Sequence, residues 1–176
     1  MTVVHVRIPE ERLPVLIGTG GAVKRALESR SGTTVEIDPE DQTIRISAPP
    51  GGDPIGVLKA RDVAVAVGRG FSPERAFRLL REDTYLTVVS MKEASGKQTK
   101  EAMRRLRARL IGTSGRARSR MEELSGCSLS IYGASVALIG TAEQLERGPG
   151  GSRCCCGGAN IPPSSDTSTG LAGRRS

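Results

Sequence analysis

Residues 16–37 and 110–131 align without a gap at an offset of 94, and nine of the 22 paired positions are identical. The identities fall in order: Leu-Ile-Gly-Thr, then a second glycine, a glutamate, a Ser-Gly pair and an isoleucine. The glycine loop appears as Ile17-Gly18-Thr19-Gly20-Gly21 and again as Ile111-Gly112-Thr113-Ser114-Gly115. Each copy is followed by a helical stretch, then Ser-Gly, then a short apolar strand (Ser31-Gly32 to Ile37; Ser125-Gly126 to Ile131). An internal duplication of this length restricts the chain to two copies of one small unit, for which 176 residues leave room.

Val3, Val4, Val6 and Ile8 read as a strand ended by Pro9. Residues 12–17 read as a short helix broken by Gly18, and Ala22 to Ser29 as an amphipathic helix closed by Gly32. Thr33 to Ile37 and Thr43 to Ser47 alternate apolar and polar residues, as half-buried strands do. Asp53 caps a helix that begins at Pro54 and buries Val57, Leu58, Val63, Ala64 and Val67 until Gly68. The order is β-α-α-β-β-α. Ser72-Pro73-Glu74 opens a connector helix that turns Ala76, Phe77 and Leu80 inward.

The order then restarts with a strand at Thr84 to Ser90, helices at about 98–110 and 117–124, and strands at 128–132 and 135–139. A last helix starts at Thr141, but Gly148-Pro149-Gly150 stops it after about two turns. The expected divisions are a first unit at 1–71, a connector at 72–83, a second, truncated unit at 84–147 and a tail at 148–176. The tail contains Cys154-Cys155-Cys156 but no valine, methionine or aromatic residue. It reads as disordered sequence or as a reading-frame error. The second is favoured, because a domain seldom evolves a stop in the middle of a core helix.

Charge separates the copies. Residues 1–71 carry nine Lys/Arg and nine Asp/Glu, and residues 72–147 carry fourteen and nine. Within 100–120, Lys100, Arg104, Arg105, Arg107, Arg109, Arg116, Arg118 and Arg120 face one acid, Glu101. That is an electrostatic footprint centred on the second glycine loop, of the kind a polyanion requires. No run of 18 apolar residues and no signal peptide is present in the sequence, so a soluble, cytoplasmic protein is expected. Cys127 stands alone in the first 147 residues, and three adjacent cysteines lack zinc-ligand spacing; no metal or cofactor is expected.

A glycine in such a loop adopts backbone angles closed to other residues and lets a phosphate reach the main chain with no Cβ in the way. Gly18 with Gly21, and Gly112 with Gly115, take that role. The loop N–H groups and the following helix N-terminus then offer donors and partial positive charge. Thr19, Gly20, Thr113 and Ser114 complete the loops; Lys24 and Arg25, and Arg116 and Arg118, add side-chain charge one turn later. A neighbouring groove, floored by Ile17 with Val35 and Ile37, or by Ile111 with Leu129 and Ile131, would receive about four unstacked bases. Ile17 and Ile111 are expected to be core residues. The scarcity of aromatics, Phe71, Phe77, Tyr85 and Tyr132, counts against platforms that stack bases on rings.

Enzymatic alternatives lack material. Val23 stands where a P-loop requires glycine before Lys24, and where a dinucleotide fingerprint requires its third glycine. Gly96-Lys97-Gln98-Thr99 lacks the upstream glycine at Met91, and His5 is the only histidine. No enzyme is expected.

Two Gly-x-x-Gly turns in matching β-α-α-β-β-α contexts are the signature of KH domains, here an α+β chain of two tandem type I KH units. Leu58-Lys59-Ala60-Arg61-Asp62 and the run Gly68-Arg69-Gly70-Phe71-Ser72-Pro73-Glu74 to Leu80 sharpen this. Over residues 1 to about 147 the chain resembles the archaeal tandem KH-domain RNA-processing family, related to the eukaryotic partner-of-Nob small-ribosomal-subunit assembly factor. The resemblance implies binding of single-stranded RNA near the 3′ end of small-subunit ribosomal RNA during maturation. It also implies Nob endonuclease and translation initiation factors as partners. The alternative is a protein-interaction scaffold in ribosome assembly or initiation, with incidental RNA contact.

Overall fold

The computed structural model describes residues 2–96 and 99–147. The first unit runs β1 (Val3–Arg7), α1 (Leu13–Ile17), α2 (Ala22–Ser31), β2 (Thr34–Asp38), β3 (Thr43–Ser47) and α3 (Pro54–Gly68). The connector is α4 (Pro73–Ala76) continued by a 3-10 turn, Phe77–Leu80. The second unit runs β4 (Tyr85–Ser90), α5 (Met91–Ser95), α6 (Lys100–Ile111), α7 (Arg116–Ser125), β5 (Ser128–Tyr132), β6 (Ser135–Gly140) and α8 (Ala142–Arg147). This is the duplicated β-α-α-β-β-α order, with one element, α5, that periodicity did not signal. Gly96 closes α5 in the left-handed region, and buried Met91 anchors it.

Each sheet is antiparallel with the last strand in the centre, β1-β3-β2 and β4-β6-β5. Asp53 caps α3 as its sequence position suggests, its carboxylate accepting the Ile55 N–H at 2.8 Å. Of the face read for α3, Val57, Val63, Ala64 and Val67 are buried, whereas Leu58 lies exposed. Thr141 opens α8 with a reciprocal capping box: its N–H donates to Gln144 Oε1 at 3.0 Å, and the Gln144 N–H to Thr141 Oγ1 at 3.4 Å. Residues 148–176, with the cysteine run and the two readings of the tail, lie outside the described residues.

Register sets the two sheets against each other. On the outer face of the first sheet, His5, Arg45 and Glu36 lie side by side across the strands and are exposed. The same row in the second sheet is Val88, Ala137 and Ser130. Its neighbours Leu86 and Ile139 join the first unit's core, where Ala137 and Ile139 pack with Leu16, Ile46, Val67 and Phe71 in one cluster. The second sheet is therefore covered on both faces, by α6 and α7 in front and by the first unit behind.

The end of α3 and the connector together make that joint. Arg12 donates to the carbonyls of Val67 (2.9 Å) and Phe71 (2.7 Å), fixing the exit from α3. The Arg69 carbonyl accepts Ser130 Oγ at 2.9 Å, the Arg69 guanidinium donates to Ser135 at 3.1 Å, and Arg78 donates to Ser128 at 3.0 Å. Gly70, at φ 95°, passes so close that a Cβ there would lie 2.9 Å from Ser130 Oγ. In the connector turn Leu79 and Ala76 are fully buried, while Phe77 and Leu80, expected inward, are half-buried. A 3-10 turn of three residues per repeat rotates Leu79 inward in place of Leu80.

Candidate nucleic-acid interface

Both loops adopt the same backbone. Gly18 and Gly112 take φ/ψ of 72°/176° and 71°/178°, a region open only to glycine, and Gly21 and Gly115 follow in the left-handed region at 78°/16° and 76°/9°. Gly20 (59°/24°) is matched by Ser114 (54°/27°), one of two non-glycine residues with positive φ among the described residues. The geometry is thus imposed by the fold, and serine adopts it at a cost of about 1 kcal/mol.

The four glycines divide their labour. A Cβ at Gly18 would lie 2.9 Å from the Val23 nitrogen, and one at Gly112 would lie 2.6 Å from Ala117 Cβ. The leading glycine of each loop therefore lets the loop fold tightly onto its own following helix. Of the five glycines in the two loops, Gly20, Gly21 and Gly115 have open space where a Cβ would project. An open approach to the main chain past a missing Cβ, expected at all four positions, is geometrically available at Gly21 and Gly115 and not at Gly18 and Gly112. Each loop then feeds a ten-residue helix, α2 or α7, at its N-terminus.

The isoleucines need correction. Ile17 is 37% exposed, and the core position beside it is Leu16, fully buried. α1 is little more than one turn: Ile17 lies about 100° round from Leu16 and about 40° from Leu13 on the other side, so Leu13 and Leu16 take the core and Ile17 sits at its edge. Ile111 is half-buried. Val35 and Leu129 are buried too deeply to floor a groove; Ile37 and Ile131 on the edge strands keep accessible apolar surface. The apolar groove lining is accordingly Ile17 with Ile37, and Ile111 with Ile131.

The cations are dispersed. Arg25 donates back to the carbonyls of Gly20 (2.9 Å) and Gly21 (3.4 Å), which places its charge against the first loop, while Lys24 is half-buried. Arg116 and Arg118 are about 200° apart around α7. Arg118 faces Glu122 at 3.7 Å, and Arg116 shares an open surface with Ser114, Ser119, Arg120, Glu123 and Leu124. One of the pair therefore flanks the strand-side groove and the other the far side of the loop.

Sequence reasoning passed over the two glutamates. Glu28 Oε1 accepts the Val35 N–H at 2.9 Å, and Glu122 Oε1 accepts the Leu129 N–H at 2.8 Å. Each bond ties the helix after the loop to the outer rim of an edge strand and sets the width of the groove between them. The signal was present, since this glutamate is one of the nine identities. In the second unit Arg75 of the connector also reaches Glu122 Oε1 at 3.1 Å. Cys127, the counterpart of Thr33 at the offset of 94, is buried like it. Burial pushes its thiol pKa up, and the Ser125 hydrogen bond and Arg78 lower it by less.

Residues 3–64 match the KH domain family, and residues 85–147 match the eukaryotic-type KH domain, KH-domain type I. The structure superposes on Dim2p from Pyrococcus horikoshii with a TM-score of 0.76 at 43% identity, covering 83% of this chain and 85% of that one. The chain belongs to the archaeal tandem KH-domain family of RNA-binding proteins. A second Pyrococcus horikoshii structure, of an a/eIF2alpha–aDim2p–rRNA complex, matches at 44% identity and TM-score 0.76, over 82% of this chain and 79% of that one. KH domain-containing protein MJ0443 of Methanocaldococcus jannaschii is 36% identical over 140 residues, 80% of this chain. The chain spans 61% of the length of that curated relative.

Among the described residues no group of three or more His, Cys, Asp or Glu gathers as a metal site, and no helix is long and apolar enough to cross a membrane.

Proposed function

We propose that this KH chain binds single-stranded RNA through both Gly-x-x-Gly loops, the second being the stronger site. The RNA is small-subunit ribosomal RNA near its 3′ end, bound during maturation in the cytoplasm. The observation that carries the reading is the pair of loops with one backbone geometry, each at the head of a ten-residue helix clamped to an edge strand by a glutamate. Loop N–H groups and helix N-termini take the phosphates, and the strip between helix and edge strand takes the bases. The chain acts by binding and not as an enzyme. That the Pyrococcus horikoshii relative is described in a complex with a/eIF2alpha and rRNA supports both the ribosomal target and an initiation-factor partner. Nob endonuclease follows as a partner from the family resemblance alone.

Cross-linking in cells followed by sequencing of bound fragments tests this. Fragments should concentrate at the 3′ end of small-subunit RNA, with cross-linked peptides spanning residues 111–118. Fragments spread in proportion to RNA abundance would count against it. Ile55 and Leu58, exposed on α3, favour the alternative of a protein-interaction scaffold. That reading requires an affinity for RNA-bearing particles nearly independent of salt, where phosphate contacts require a steep dependence.

A further inference from the structure

The segment that leads into the glycine loop differs between the two units. Residues 8–12 join β1 to Leu13, whereas residues 91–106 join β4 to the equivalent Arg107. The added chain makes α5 and extends the pre-loop helix from the five residues of α1 to the twelve of α6, about 18 Å long. Met103, Leu106 and Leu110 turn inward to the second core. The opposite arc carries Lys100, Arg104, Arg105 and Arg109, all exposed. Arg107 is not part of this arc: its guanidinium donates to the Gly133 carbonyl in the β5–β6 turn at 2.5 Å.

These four cations make no ion pair within 4.0 Å among the described residues, although Glu101 lies four positions before Arg105. Arg75 and Arg118, by contrast, are both spent on Glu122. Like charges three to five residues apart on one helix repel, and the one acid on that arc, Glu101, offsets four cations only in part; a polyanion would complete the neutralisation. The helix runs directly into Gly112, its C-cap, so the basic arc leads straight into the second loop, which Arg116 follows. We infer that the outer arc of α6 is a second RNA-contacting surface, which holds phosphates of the single strand beyond the bases seated in the second groove. This rests on the RNA-binding reading and extends its footprint past the roughly four nucleotides one KH groove accommodates.

Two pools of randomised single-stranded RNA, four and twelve nucleotides long, separate the surfaces. Replacing Arg104, Arg105 and Arg109 by Gln, a good helix former, leaves the melting temperature near that of the parent chain. For the twelve-nucleotide pool it lowers the salt slope by about two units, at about 0.7 per lost contact on a single strand, and the affinity at least about tenfold. The four-nucleotide pool loses markedly less. The triple Arg→Lys variant keeps most of the slope, since a phosphate accepts a point charge. Thr113→Asp with Ser114→Asp weakens both pools. A Gln variant with parental affinity and slope for twelve nucleotides, beside a loop variant that still fails, would overturn the α6 surface and leave the groove standing. Parental binding by the loop variant, or no binding by the unaltered chain, would overturn both readings.

Discussion

The backs of the two sheets show what one duplicated unit can become. In the first, the row His5, Arg45, Glu36 faces water; in the second, the same register places Val88, Ala137 and Ser130 against another domain. The fronts differ far less: the loops share dihedral angles to within a few degrees, and Glu28 and Glu122 make the same bond. What the duplication kept is the loop and its clamp. What changed is what lies behind the sheet and what leads into the loop, so the proposed RNA face and the face that joins the two units lie on opposite sides of one scaffold.

The sharpest way to break this comparison is to exchange the residues at the matched position. Ala137→Arg puts a cation into a joint where Ala137 is 1% exposed, and should cost about 3–5 kcal/mol, as for a buried unpaired charge. Arg45→Ala on the open face should stay within about 0.5 kcal/mol, since its partner Glu36 is itself largely exposed. Urea denaturation measures both, and similar losses would show that the first sheet is not open in solution.

The loops give the next largest contrast. Gly112→Ala meets both the Ala117 contact and a glycine-only conformation, whereas Gly115→Ala meets only the left-handed penalty of about 1–2 kcal/mol. Thermal denaturation should rank Gly112→Ala well below Gly115→Ala; the reverse order would refute the division of labour between them. Ser114→Gly should stabilise by up to about 1 kcal/mol by removing the strained serine. Arg75→Gln removes a half-exposed ion pair to Glu122 and should cost no more than about 0.5 kcal/mol, visible in a double-mutant cycle with Glu122→Gln.

Cys127 marks the smallest effect. Because burial raises its pKa, the thiol stays protonated in the fold, and its share of stability is present below the usual thiol pKa and fades as pH rises through the folded value. Alkylation at pH 8 should be far slower than for a free cysteine and should accelerate in urea. Rapid labelling of the folded chain would mean that the second core opens readily.

Much of this was legible in the sequence for one reason: the duplication turned a weak loop motif into a strong one. Alternation in Thr43 to Ser47 correctly marks a strand with one wet face, whereas the strand at 135–139, read without a face, proves to be covered on both. What covers it could not be read, because Ser128, Ser130 and Ser135 are buried polar residues whose hydrogen-bond partners, Arg78 in the connector and Arg69 at the end of α3, stand far earlier in the chain. The helix α5 escaped for lack of apolar periodicity in five residues. Ile17 was misplaced because a one-turn helix cannot bury two adjacent large residues, and the choice between Leu16 and Ile17 is made by packing.

The central claim is that the two loops are RNA sites and that charge makes the second dominant. The most direct measurement is a titration of twelve-nucleotide single-stranded RNA against two double variants, Thr113→Asp with Ser114→Asp and Thr19→Asp with Gly20→Asp. All four positions are exposed, so folding should persist. The account predicts a loss of about tenfold or more in the second loop, equivalent to one or two phosphate contacts at moderate salt, and a smaller loss in the first. Parental affinity in both variants would contradict it, and a greater loss in the first loop would reverse the assignment of the stronger site.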